Sequence, residues 1–158
     1  MISANFAEVR KALEEYKKEV DRKLTYMVRA FAYQVTETAI GNTPLGDAEK
    51  YAGLYARRQK SLGLDPKEGF AQGSWQISTD NNFDLQLLYS GTKALGLAKT
   101  TLTGYKIGTD LYIGNKGYYI QKLENGFSDQ APIGITKPTT NHIFSVLQAD
   151  LVRLFNEG

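Results

Sequence analysis

The sequence predicts an α+β domain: a short antiparallel sheet packed by a long N-terminal helix and a C-terminal helix. Three features lead there. Apolar residues recur every three or four positions through the first forty residues, short alternating runs separated by Gly, Asn and Asp fill the middle, and the helical period returns near the C-terminus. The 158 residues suit a single domain with its own core.

The long helix is expected over about 5–41. Phe6, Val9, Leu13, Tyr16, Val20, Leu24, Met27, Phe31 and Val35 fall on one stripe. Asn5 followed by Glu8 predicts a capping box, and the pairs Glu14/Lys18 and Glu19/Lys23 support the exposed side. Gly41-Asn42 and Thr43-Pro44 end it, because Gly tolerates the left-handed cap and Pro cannot continue the hydrogen-bond ladder. At about 1.5 Å per residue it reaches roughly 50 Å, more than such a domain needs internally. It therefore either kinks or packs part of its stripe on other chains. A coiled-coil hairpin within the chain is not expected, since no second helix of comparable length follows.

Residues 45–72 form a loop with one short helix, capped by Asp47 and carrying Tyr51, Leu54, Tyr55 and Arg58. Asp65-Pro66 and Gly69 return the chain to loop. The sheet and further short helices are expected over 73–132. Trp75 and Ile77 alternate with Gln76 and Ser78 in a first strand, and Asp80-Asn81-Asn82 turns the chain into a partner strand over 83–89. A short helix follows over 91–101 with Leu95, Leu97 and Ala98, then two short strands around Thr109-Asp110, for a sheet of three to five strands. Asn115 is expected to cap a two-turn helix that buries Tyr119, Ile120 and Leu123 and stops at Gly126. Pro138 leads the last helix, about 138–156, with Ile143, Phe144, Leu147, Leu151, Leu154 and Phe155 as its apolar set.

Composition narrows the function. Nineteen basic and 17 acidic residues leave a net charge of +2, too balanced for a dedicated nucleic-acid binder. The densest basic cluster, Arg57, Arg58 and Lys60, is either a solvated helix face or a phosphate contact; the second reading makes the chain a nucleic-acid-binding module. The absence of cysteine removes disulfides, thiol nucleophiles and thiolate metal sites. No apolar run approaches the roughly 18 residues of a membrane span, and the N-terminus lacks the basic-then-apolar order of a secretory signal.

Catalytic groups do not converge by spacing. His142 is the single histidine and has no acidic or histidine partner at helical spacing. Glu124, beside Tyr118, Tyr119 and Asn125, is expected to accept hydrogen bonds near a tight turn; as a general acid it would need a second catalytic group. No enzyme, metal or cofactor signature is present. Ten tyrosines suit an interface, although Tyr112, Tyr118 and Tyr119 equally suit a core.

The order of short motifs is more specific than any one of them. A long helix ending in Thr43-Pro44-Leu45-Gly46-Asp47 precedes Gly73-Ser74-Trp75. Ile113-Gly114-Asn115, Tyr118-Tyr119, Leu123-Glu124-Asn125-Gly126 with Ser128, Gln130-Ala131-Pro132 and a closing helix follow. Over nearly its full length the chain resembles the tail-completion, or neck, proteins of tailed bacteriophages. It departs from them at Tyr119-Ile120, where a small residue is usual, and in a longer stretch over 48–70.

The resemblance implies a structural virion protein that joins head to tail, made in the host cytoplasm and built into a homo-oligomeric, usually sixfold ring. Its neighbours would be head connector or portal-side proteins and tail tube or tail terminator proteins, with DNA passing through the lumen unbound. It carries Thr43, Pro44, Gly73, Trp75, Asn115, Tyr118, Glu124, Gly126, Gln130 and Pro132 as shape-defining residues.

Overall fold

A computed structural model describes residues 5–46, 69–84, 88, 90–117 and 120–156. Helix α1 (Phe6–Asn42) runs without interruption for 37 residues. A single turn α2 (Phe70–Gly73) leads into strand β1 (Trp75–Ser78). Helix α3 (Gly91–Gly104), strand β2 (Tyr112–Asn115), the short helix α4 (Ile120–Glu124) and helix α5 (Thr136–Asn156) complete the order. The architecture is α+β, with a small antiparallel sheet between long helices.

The sheet is smaller than the three to five strands expected. Among the described residues β1 pairs only with β2, in the register Trp75↔Asn115 to Ser78↔Tyr112. The partner predicted at 83–89 does not form from Phe83 and Asp84. Instead Asp80 accepts the Asn82 N–H at 3.0 Å, Asn81 takes φ 58°, and the chain folds back over the sheet. The Phe83 ring then lies over Gly114, where an added methyl would stand 2.7 Å from it. The Asp84 carbonyl accepts from the Gln76 amide, so Gln76 is buried along with Trp75 and Ile77 rather than turned to water. The expected strand at 106–108 is a turn closed by Thr109 N–H on the Lys106 carbonyl, with Gly108 at φ +92°.

Helix α3 extends beyond the predicted 101. Ser90 caps it, its hydroxyl accepting the Lys93 N–H at 3.4 Å. Its buried side is Gly91, Ala94, Ala98 and Leu102, while Leu97 faces out. These small residues meet Ala32, Thr36, Ala39 and Ile40 of α1, and the Ile40 methyl occupies the space a Gly91 side chain would need. Ile135, Ala131 and Trp75 close one end of the core; Ile77 and Leu102 fill the other.

One consequence concerns α1. Its docking side is the small-residue set Ala32, Thr36, Ala39 and Ile40, not the large apolar stripe. At about 100° per residue the two sets lie more than a third of a turn apart. Phe6, Val9, Leu13, Tyr16, Leu24, Met27 and Phe31 are all exposed, with Phe6 at 82% and Met27, beside the body, still at 59%. The helix does not kink to bury them.

Other local expectations also shift. Asn5 makes no side-chain cap; only its carbonyl joins the helix, accepting Val9 N–H at 3.1 Å, so the capping box does not form. Glu14 pairs with Arg10 at 3.4 Å rather than with Lys18, and Glu19 holds both Arg22 at 2.8 Å and Lys23 at 3.4 Å. The Arg22 hydrogen bonds lower the Glu19 carboxyl from the ordinary range to about 2. Because the value is depressed, the pair's contribution is complete above the ordinary carboxylate range and is lost as pH falls toward 2. An NMR titration of the Glu19 side-chain carboxyl is expected to show that midpoint, and Arg22→Gln to bring it back toward the ordinary range.

Candidate functional site: a hydrogen-bonded junction

The end of α1 is built around Thr43. Its N–H donates to the Ile40 carbonyl at 3.0 Å and its hydroxyl to the Ala39 carbonyl at 2.6 Å, closing the last turn. The same hydroxyl oxygen accepts the Trp75 indole N–H at 2.8 Å, and the Thr43 carbonyl accepts the Gln72 amide at 2.7 Å. One residue thereby ties α1 to α2 and β1. Thr43 and Ser74 are fully buried and Pro44 is half-buried beside them.

Asn115 ends β2 instead of capping a helix. Its amide donates to the Ala71 carbonyl of α2 at 2.8 Å, and its side-chain oxygen accepts the Gly117 N–H at 2.8 Å. The helix expected from 115 starts only at Ile120, with Leu123 half-buried; Tyr118 and Tyr119 lie outside the described residues. Gly73 is buried in the turn before Trp75, where it donates to the Gly69 carbonyl at 2.8 Å.

Helix α4 ends in a Schellman arrangement. Phe127 N–H reaches the Lys122 carbonyl and Gly126 N–H the Leu123 carbonyl, both at 3.1 Å, with Gly126 at φ +73°. A methyl on Gly126 would stand 2.5 Å from the Pro132 carbonyl oxygen, so the loop 126–134 folds tightly back onto the helix end. Ser128, buried, accepts the Gln130 N–H at 3.3 Å, while Gln130 and Pro132 are exposed.

Glu124 connects this loop to the last helix. One carboxylate oxygen accepts the Ile135 N–H at 3.2 Å and the other the Thr136 N–H at 2.8 Å, with the Thr136 hydroxyl on the second oxygen as well. Pro138 has no N–H, so the start of α5 leaves three orphan donors, and two of them are satisfied this way; a negative charge also sits where the helix dipole favours it. The helix starts at Thr136, two residues before Pro138. Asn42, the last residue of α1, donates to the Thr139 hydroxyl at 3.0 Å, and Thr139 in turn donates to the Ile135 carbonyl at 2.7 Å. The path runs from Thr43 through Trp75 and the sheet to Asn115, and from Glu124 through α5 back to Asn42.

Thr43, Gly73, Trp75 and Asn115 are thus drawn together at the end of α1, and Glu124 and Gly126 at the start of α5. Asn42, expected only as part of the helix stop, and Gln72 and Thr139, which the sequence does not single out, complete the links. His142 is exposed on the second turn of α5. Among the described residues no group of three or more His, Cys, Asp or Glu could hold a metal ion, and no helix is long and apolar enough to cross a membrane. Arg57, Arg58, Lys60 and the helix expected from Asp47 lie outside the described residues.

Compared with protein-family models, curated proteins and solved structures, the chain finds no match among any of the three.

Two substitutions probe the junction. Thr43→Val keeps the shape but strands the buried indole N–H, and is expected to cost about 1–3 kcal/mol in denaturant unfolding. Gly134→Ala places a methyl 2.6 Å from the Glu124 carbonyl oxygen at φ +80°. It is expected to destabilise by more than about 1 kcal/mol, since the strained backbone adds to the clash.

Proposed function

We propose that this chain is a structural subunit of the neck of a tailed bacteriophage, one member of a tail-completion ring that joins the head connector to the tail. The observation that carries the reading is the convergence of Thr43, Trp75, Asn115 and Glu124, four motif residues spread over 81 positions, into linked hydrogen bonds at helix and strand ends. These are residues that fix the angles between elements. A ring subunit works through such angles, because a small error per subunit prevents closure.

The groups that could do chemistry are spent on architecture. Both Glu124 oxygens hold the start of α5, and Asn115 bridges β2 to α2. The reading therefore assigns the protein no catalytic step and no cofactor. Contact with neighbours falls to exposed apolar residues on the segments the junction fixes: Leu45 after α1, and Phe127 and Ile133 around the tight loop. Near-neutral charge suits a lumen through which DNA passes without being held. The virion is then its place of action, after assembly in the host cytoplasm.

Particles assembled without this protein are expected to show separate or unstably joined heads and tails by electron microscopy; fully joined, infectious particles would overturn the reading. Phe127→Glu combined with Ile133→Glu is expected to change unfolding free energy by no more than about 0.5 kcal/mol, as for other exposed sites. The same pair is expected to abolish joining when it replaces the native chain in an assembly assay.

A further inference from the structure

We infer that the exposed stripe of α1 is a docking surface for α1 of a second copy of this chain, laid antiparallel, and that this pair is the form the free protein takes in solution. The inference does not depend on the neck reading.

The stripe is not surplus core. Its members from Phe6 to Phe31 are exposed apart from the half-buried Val20, and Val35 is half-buried, because the packing of α1 on the body uses the small-residue side more than a third of a turn away. Seven large side chains along one line, among them Phe6, Tyr16 and Phe31, offer on the order of 700 Å² of exposed apolar surface. That is close to the roughly 800 Å² per partner of a standard protein interface.

The spacing names the kind of partner. From Phe6 to Val20 the steps alternate three and four, the repeat that packs one helix along another. A single extra step of four at Leu24 precedes a return to three and four at Met27 and Phe31. A partner helix must run the length of this stripe, and among the described residues only α1 itself is that long.

The order of side chains names the direction. Read from either end, the stripe has nearly the same spacing. Antiparallel overlap sets Phe6 against Phe31, Val9 against Met27, Leu13 against Leu24 and Tyr16 against Val20. Over residues 8–23 the helix carries five acidic and six basic side chains, so two copies meet without a field of one sign. Lys17 lies on the same flank of the stripe as Asp21, and the overlap brings each close to the other's counterpart.

A two-fold contact of this kind is isologous, whereas a ring closes through head-to-tail contacts. The pair closes at two copies and keeps the apolar stripe of the free chain out of water.

Sedimentation equilibrium of the purified full chain at tens of micromolar is expected to give a dimer, and Leu13→Glu with Leu24→Glu a monomer that keeps its thermal unfolding transition. Because the native chain has no cysteine, cross-linking reads the geometry even if those variants misfold. Leu13→Cys and Leu24→Cys chains, mixed and oxidised, are expected to form the mixed disulfide dimer, while each alone and a Lys18→Cys control give several-fold less. A monomeric native chain overturns the proposal, whether residues 47–68 cover the stripe or nothing does. So does efficient self-cross-linking of Leu13→Cys, which marks a parallel pair, and so does a monomer that binds vesicles of anionic phospholipid through α1. A missing dimer would leave the neck reading standing, and joined particles lacking the protein would leave the dimer standing.

Discussion

The Thr43 hydroxyl is the interaction on which the rest of the structure depends. It closes the last turn of α1 by donating to Ala39 and receives the only indole N–H of the chain from Trp75. Both groups are buried, so neither can exchange its partner for water, and an orphaned donor there is costly. That single atom sets where β1 begins relative to the end of the long helix. Trp75 pairs with Asn115, whose amide in turn holds the Ala71 carbonyl, so α2 and the following loop are placed against the same point.

A second anchor works by charge. Glu124 terminates α4 and starts α5, so the carboxylate turns two helix ends into one corner. The glycines at the two ends of the loop after Glu124 are there for space: Gly126 lets the chain pass the Pro132 carbonyl, and Gly134 lets it pass Glu124 itself. Seen this way, the clustered Gly, Asn, Glu and Pro between 113 and 132 form a hinge fixed in one position. The neck reading draws on this rigidity, since joining two large assemblies needs a subunit of defined shape rather than a reactive pocket.

How much of this was legible depended on range. The length of α1, the stop at Gly126 and the anchoring of Glu124 near a tight turn rest on local signals: period, positive φ, and a carboxylate a few residues from a turn. The partner of β1 is not legible, because it lies 37 residues downstream and the Phe83 ring that covers Gly114 beside it is a contact without a sequence period. The buried side of α1 departs from the period for a related reason. Hydropathy weights Phe, Leu and Met above Ala and Thr, yet the close approach of α3 requires the small residues, which leaves the strong stripe outside. Asn115 has the side chain of a helix cap, yet the same chemistry serves a strand end.

The most direct test of the central claim, that this fold is a piece of a joint, is a cryo-electron microscopy reconstruction of the assembled particle with the chain traced in it. The account predicts a ring of this subunit between head connector and tail, with Leu45, Phe127 and Ile133 in contact with neighbouring chains and the Thr43–Trp75 junction unchanged. Finding the chain elsewhere in the particle, or absent from it, would contradict the account.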